Sequence, residues 1–222
     1  MKNKKIFSQI VRWGAAAMIP FIILMLSVRI LITPLFAQAE YRMPGFPEDP
    51  YGFSMEDRLR WAEPSISYLV NSADITYLEN FEFEDGEPIY NARELSHMQD
   101  VKGVVTGVRI ALATLMVLFL VLTILADNRG LKNQLLLGCE WGGWIIIGFI
   151  VSVLIFLLFS FDVLFTWFHK LFFESGTWKF YTSDTLIRLF PMRFWRDAFI
   201  FVGIINLIIS TIVIYFSRRQ RR

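Results

Sequence analysis

The chain has 222 residues, of which 55% are hydrophobic, 16% aromatic and 19% charged, against about 45–50% apolar and about 25% charged in a typical soluble domain. That balance excludes an ordinary cytosolic enzyme. A formal net charge of +2 excludes a strongly basic nucleic-acid binder, and a lone cysteine, Cys139, excludes a disulfide scaffold or a Cys-ligated metal centre.

The apolar excess is concentrated. Residues 13–35, 104–126, 141–161 and 198–216 each have the length, about 20 residues, of a bilayer span. Main-chain polar groups cannot be satisfied by lipid, so each is predicted to be helical. The flanking segments 1–12, 127–140 and 217–222 carry Lys2, Lys4, Lys5 and Arg12, then Arg129 and Lys132, then Arg218, Arg219, Arg221 and Arg222. The excess of Lys and Arg on cytoplasmic flanks assigns these three to one side, the cytoplasm. Residues 36–103 and 162–197 then face outward. The expected fold is an all-α integral membrane protein with four transmembrane helices and a small extracytoplasmic cap between spans one and two. Ala37-Gln38-Ala39 resembles a signal cleavage site. The preceding apolar run exceeds an h-region of about 7–15 residues and contains Arg29, so the span is read as retained. The second outer segment is basic (Lys170, Lys179, Arg188, Arg193, Arg196) and the first is acidic, so the two could pair into one cap.

Within the cap, Ser54-Met55-Glu56-Asp57 reads as a capping box opening a helix that carries Leu59, Trp61, Ile66 and Leu69 and ends near Asn71. Glu82 to Glu87 is an acidic loop with a turn at Asp85-Gly86. Asn91-Ala92-Arg93-Glu94 is a second capping pattern, opening a long helix predicted over 92–126. Asp184 is expected to cap a short helix, Thr185 to Phe190, ended by Pro191.

Both histidines, His97 and His169, fall at the outer boundary of the spans. On a helix, Glu94 and Asp100 share the face of His97, and Asp162 shares that of His169. The costly charges Arg29, Arg109 and Asp162 lie toward the same end of their spans, and charges in spans tend to mark sites. Each has a plain alternative: arginines snorkel to phosphates and aromatics form interfacial belts. Their convergence at one depth favours a site. Two imidazoles, carboxylates and an arginine supply the base, acid and oxyanion partner of acyl transfer. A zinc-dependent membrane hydrolase is the competing reading, weakened by the absence of a compact ligand motif; no metal or cofactor is expected. A non-enzymatic membrane adaptor is a third.

Glu94-Leu95-Ser96-His97-Met98-Gln99-Asp100-Val101-Lys102 resembles the segment before span two of the bacterial lipoprotein intramolecular transacylases. Phe168-His169-Lys170-Leu171-Phe172-Phe173, Gly176-Thr177-Trp178 and Asp184-Thr185-Leu186-Ile187 resemble their second outer loop, and Tyr41 and the text from Phe53 to Arg58 also fit. The resemblance covers nearly the whole chain. It implies a multi-pass enzyme of the bacterial cell membrane acting at the outer leaflet on diacylglyceryl-modified lipoproteins, among membrane lipids and as a monomer. The sn-2 acyl chain moves to the α-amino group of the same N-terminal cysteine, giving the lyso-form. His97 and His169 are the implied catalytic pair, one taking a proton and the other giving one. Glu94, Asp100, Asp162, Arg109, Arg29 and Lys102 are expected to orient or support them, and Trp167, Phe172, Phe173, Trp178 and Tyr41 to hold substrate.

Overall fold

The computed structural model describes residues 2–174 and 176–222. Among them, nine helices run in the order α1 (Lys2–Leu31), α2 (Pro34–Glu40), α3 (Met55–Val70), α4 (Thr76–Glu79), α5 (Ala92–Asn128), α6 (Lys132–Phe159), α7 (Phe161–Phe172), α8 (Thr185–Leu189) and α9 (Met192–Arg219). Four of these, α1, α5, α6 and α9, are long and apolar enough to cross a membrane. The fold is that of an all-α, multi-pass membrane protein.

The chain divides into two compact units. The first takes residues 1–29, 108–156 and 200–222. Its core joins Val11, Ala15, Ile19 and Ile23 of α1 with Leu135, Cys139, Ile146 and Ile150 of α6. Lipid tails are as apolar as leucine, so helices in lipid associate largely through close packing of small residues. Here α6 offers Gly138 and Gly142 to α1: a Cβ on Gly142 would lie 2.7 Å from the Cβ of Ile19. The next residue, Gly143, faces α9, where a Cβ would lie 2.7 Å from Cγ1 of Ile214. Buried Glu140 accepts from Arg218 Nε at 2.7 Å and pairs with Arg221.

The second unit takes residues 30–107 and 157–199, so both predicted outer segments contribute to one cap. Its core holds Tyr41, Trp61, Ile66, Tyr68 and Leu78 from the first segment together with Leu186, Leu189, Phe190 and Phe194 from the second. Ion pairs join the two segments, one in the expected sense and one with the basic residue on the first segment. Arg188 Nη2 donates to Asp49 Oδ2 at 2.9 Å, and Arg93 Nη2 donates to Asp184 Oδ2 at 2.9 Å.

Local sequence explains several helix limits. Ser54 Oγ accepts from Asp57 N at 3.1 Å while Asp57 Oδ2 accepts from Ser54 N at 2.9 Å, the reciprocal capping box expected for α3. Gly86, at φ +83, makes the turn of the acidic loop. Three limits differ from expectation. The first apolar stretch is broken after Leu31, because Pro34 fits the first turn of a new helix and holds Thr33 extended at φ −144, ψ 146. The third stretch is interrupted at Ser160, so His169 lies on a separate helix, α7. Asp184 precedes α8 without a side-chain cap.

Candidate active site

Two helices of the second unit bring the histidines together. His97 sits in the second turn of α5, and His169 in the last turn of α7. Both are buried, at 8% exposure each, and their rings face one another with centroids 6.2 Å apart and planes inclined by 21°. The enclosure is aromatic. Phe173 lies 5.0 Å from the His97 ring and 5.6 Å from the His169 ring. Phe180 stands 5.3 Å from His97. Phe165 and Trp178 stand 4.0 and 4.9 Å from His169.

His169 Nδ1 lies 2.8 Å from the carbonyl oxygen of Phe165, one turn back on α7. A carbonyl only accepts, so Nδ1 carries the proton and donates it. The neutral ring therefore presents its lone pair at Nε2. Burial holds the His169 imidazole below its ordinary pKa, against an opposing pull from that hydrogen bond. On His97, Nδ1 is buried with no hydrogen-bond partner among the described residues. Positive charge on both rings at once would place two imidazolium ions 6.2 Å apart in an apolar shell. Mutual repulsion and desolvation both oppose that state, so the pair holds at most one extra proton.

The expected supporting residues are placed differently from one another. Glu94, fully buried at 1% exposure, lies one turn before His97 but is engaged elsewhere. Its Oε2 accepts from Asn91 N at 2.9 Å and its Oε1 from Leu186 N at 2.7 Å. One carboxylate thus caps α5 and supplies the N-terminus of α8 with the acceptor that the Asp184 side chain does not provide. Asp184 instead accepts from Arg93 and from Tyr181 N. Asp100 is exposed, and Asp162 is exposed in the first turn of α7, where a negative charge suits the helix dipole. Lys102 donates to Asn71 Oδ1 at 3.1 Å and to the carbonyl of Ala73, with its Nζ 3.9 Å from the centre of the Tyr68 ring. It fastens the end of α3. Arg29 and Arg109 belong to the first unit.

Of the expected substrate contacts, Phe173 and Trp178 touch the histidine rings. Phe172 packs on Phe168 and Phe173 and is 43% exposed, and Trp167 is 61% exposed. Tyr41 lies in the cap core, its hydroxyl donating to Leu189 O at 2.7 Å. Phe165 and Phe180 complete the shell, and Phe165 was not singled out from sequence. For Phe165 the signal was present, since it stands four residues before His169 and so shares its helical face. Among the described residues, no group of three or more His, Cys, Asp or Glu gathers to hold a metal ion.

A family model described as the lipoprotein intramolecular transacylase Lit matches residues 14–195. An uncharacterised protein of Aquifex aeolicus is 29% identical over 202 residues, covering 88% of each chain. Among solved structures, the integral membrane lipoprotein intramolecular transacylase Lit of Bacillus cereus aligns with a TM-score of 0.77 at 17% identity, covering 96% of this chain and 94% of that one. A form of the same protein with one histidine replaced by alanine aligns at 0.76, covering 98% and 95%. The family match spans most of the sequence and includes both histidine segments, and the chain belongs to the lipoprotein intramolecular transacylase family, an acyltransferase of the membrane.

Proposed function

We propose that the His97–His169 pair moves the sn-2 acyl chain of a diacylglyceryl-cysteine lipoprotein onto the α-amino group of that same cysteine, at the outer face of the bacterial membrane. The observation that carries this reading is the facing pair of buried imidazoles, one with its tautomer set by a main-chain carbonyl. The basic flanks 1–12, 127–140 and 217–222 support the cytoplasmic side for their ends of the spans and the outer side for the cap.

The substrate supplies both nucleophile and ester, so holding them in contact contributes much of the rate. An α-ammonium group titrates at about 7.7–8.0, close enough to imidazole for proton transfer. On its way to an amide the ammonium loses two protons: one goes to solvent and the other must reach the glyceryl oxygen. His169, with its lone pair at Nε2, takes the proton that frees the amine. The amine nitrogen bonds to the ester carbonyl carbon, the carbon–oxygen bond to glycerol breaks, and His97 carries the second proton from nitrogen to the departing oxygen. Repulsion between two imidazolium ions requires these transfers in sequence rather than together. Phe173 and Trp178 confine the reacting head and exclude water, which would divert the ester to hydrolysis. Among the described residues no third His, Cys, Asp or Glu joins the pair, which supports proton transfer over the metal-dependent hydrolase.

The test is mass spectrometry of the N-terminal lipopeptide after incubating a diacyl lipoprotein with the purified protein. The expected product is an isomer of unchanged mass with one acyl chain on nitrogen, formed without added lipid donor and unaffected by chelators. It is absent with His97→Ala and with His169→Ala. Product formation by both variants would refute the proton-transfer scheme, and loss of a fatty acid would mark a hydrolase.

A further inference from the structure

Among the described residues of the aromatic shell around the histidines, one hydrogen-bond donor has no acceptor. Trp178 Nε1 is buried and has no hydrogen-bond partner among the described residues, although its indole ring stands 4.9 Å from the His169 ring at an inclination of 38°. A buried N–H left unpaired costs free energy, so such groups are rare and call for an explanation. Indole nitrogen donates and cannot accept. Packing alone would be served as well by phenylalanine, the residue used at 165, 168, 172, 173 and 180 in the same region.

We propose that Trp178 is a catalytic residue whose Nε1–H donates to the carbonyl oxygen of the scissile ester as it becomes an oxyanion. This assignment rests on the acyl-transfer reading above. The amine that reacts must lie within hydrogen-bond reach of His169 Nε2, and the ester carbon must lie within bonding reach of that amine. The carbonyl oxygen is one bond further, set in this scheme against the indole N–H of Trp178, whose ring neighbours that of His169. As nitrogen bonds to the carbonyl carbon, the π electrons of the carbonyl pass to oxygen, and the indole N–H gains the acceptor it lacks at rest. When the glyceryl oxygen leaves with its proton, the electrons return to re-form the carbonyl, now of an amide. The donor is fixed in place before reaction and desolvated, the conditions under which such a bond is strongest in the transition state. No charged group is required, which suits a shell that disfavours charge.

The experiment replaces Trp178 by phenylalanine and, separately, by benzothienylalanine, in which sulfur stands where the N–H stood and the bicyclic shape is kept. Purified proteins are assayed for conversion of a diacyl lipopeptide, with kcat and KM resolved and thermal stability recorded. The expected result is a fall of kcat by about 100-fold or more in both variants, the usual consequence of removing one such donor. KM and Tm should stay near wild type in the sulfur variant. Full kcat in the sulfur variant would overturn the proposal, as would loss of activity in W178F alone, because either result makes the ring a packing element. A wild-type protein that forms no N-acyl product would instead refute the reaction assigned above. Full activity of both Trp178 variants beside inactive His97→Ala and His169→Ala would leave that reaction standing and sink only this assignment.

Discussion

Replacing Glu94 by alanine tests whether this carboxylate acts on His97 or holds the cap together. Glu94 is 1% exposed and both oxygens accept main-chain N–H groups, from Asn91 at 2.9 Å and Leu186 at 2.7 Å. The bond to Asn91 is a helix cap on an exposed residue, whose N–H can turn to water, and such caps contribute about 1 kcal/mol. The bond to Leu186 joins a charged acceptor to a donor on a buried residue, and losing it costs about 2 kcal/mol. The sum, about 3 kcal/mol, corresponds to a fall in Tm of roughly 10 °C for a unit of this size. Glu94→Gln keeps one acceptor oxygen, so it should lose about half as much. Differential scanning of the purified protein in micelles measures the shift, and hydrogen exchange at the Leu186 amide reports the broken bond directly. At a temperature where the variant is folded, its pH–rate profile should match wild type. A variant with unchanged Tm and a displaced pH–rate profile would show that Glu94 acts on His97, and the structural account of it would be wrong.

Four further outcomes are expected. Because burial lowers the His169 pKa, its neutral, proton-accepting form persists as pH falls below about 6.5. The acid side of the kcat profile should therefore fall away below that value, whereas kcat/KM rises until the substrate amine is free near pH 8; an acid limb of kcat above about 6.5 would contradict this. For stability the same shift makes the unfolded chain bind more protons than the folded one. His169 should therefore lower the Tm as pH falls below about 6.5, and His169→Gln should flatten that slope. Glu40, fully buried at the end of α2, is pushed up to about 7 by burial and by the neighbouring Asp197 carboxylate. Its contribution is complete below its unfolded value and is lost as pH rises through about 7, so Glu40→Gln should raise the Tm at pH 8 but not at pH 5, read by thermal denaturation. Gly142→Ala places a Cβ 2.7 Å from that of Ile19. It should cost about 1–3 kcal/mol of α1–α6 packing, seen as a lower Tm with an intact pH–rate profile; an unchanged Tm would refute the close approach.

Features set by neighbouring residues were legible in the sequence. The capping box at Ser54, the turn at Gly86 and the start of α5 at Ala92 all follow from local rules and stand where expected. The spans were readable from apolar length alone. What escaped was set by partners far along the chain. Glu94 was expected to serve His97 because residues three apart share a helical face. Its position in the first turn of α5 instead turns it toward free N–H groups, and one of its two partners, Leu186, is 92 residues away. Lys102 was read as part of the site and proves to fasten Asn71, 31 residues away. The break at Ser160 had no proline or glycine to announce it. Phe180 reaches His97 by a loop whose path no periodicity describes.

The hydrogen bond that orients His169 comes from the carbonyl of Phe165, one turn back on its own helix. Many catalytic histidines are held by a carboxylate side chain, which raises the basicity of the ring and can be deleted by mutation. Here the orienting group is main chain. It survives any helix-compatible residue at position 165, so an alanine scan would pass over it, and natural drift at that position would leave the tautomer unchanged. Being uncharged, it fixes the proton on Nδ1 while adding no anion to an apolar site. The heritable requirement for the proposed base, His169, therefore reduces to one histidine and an unbroken turn of α7.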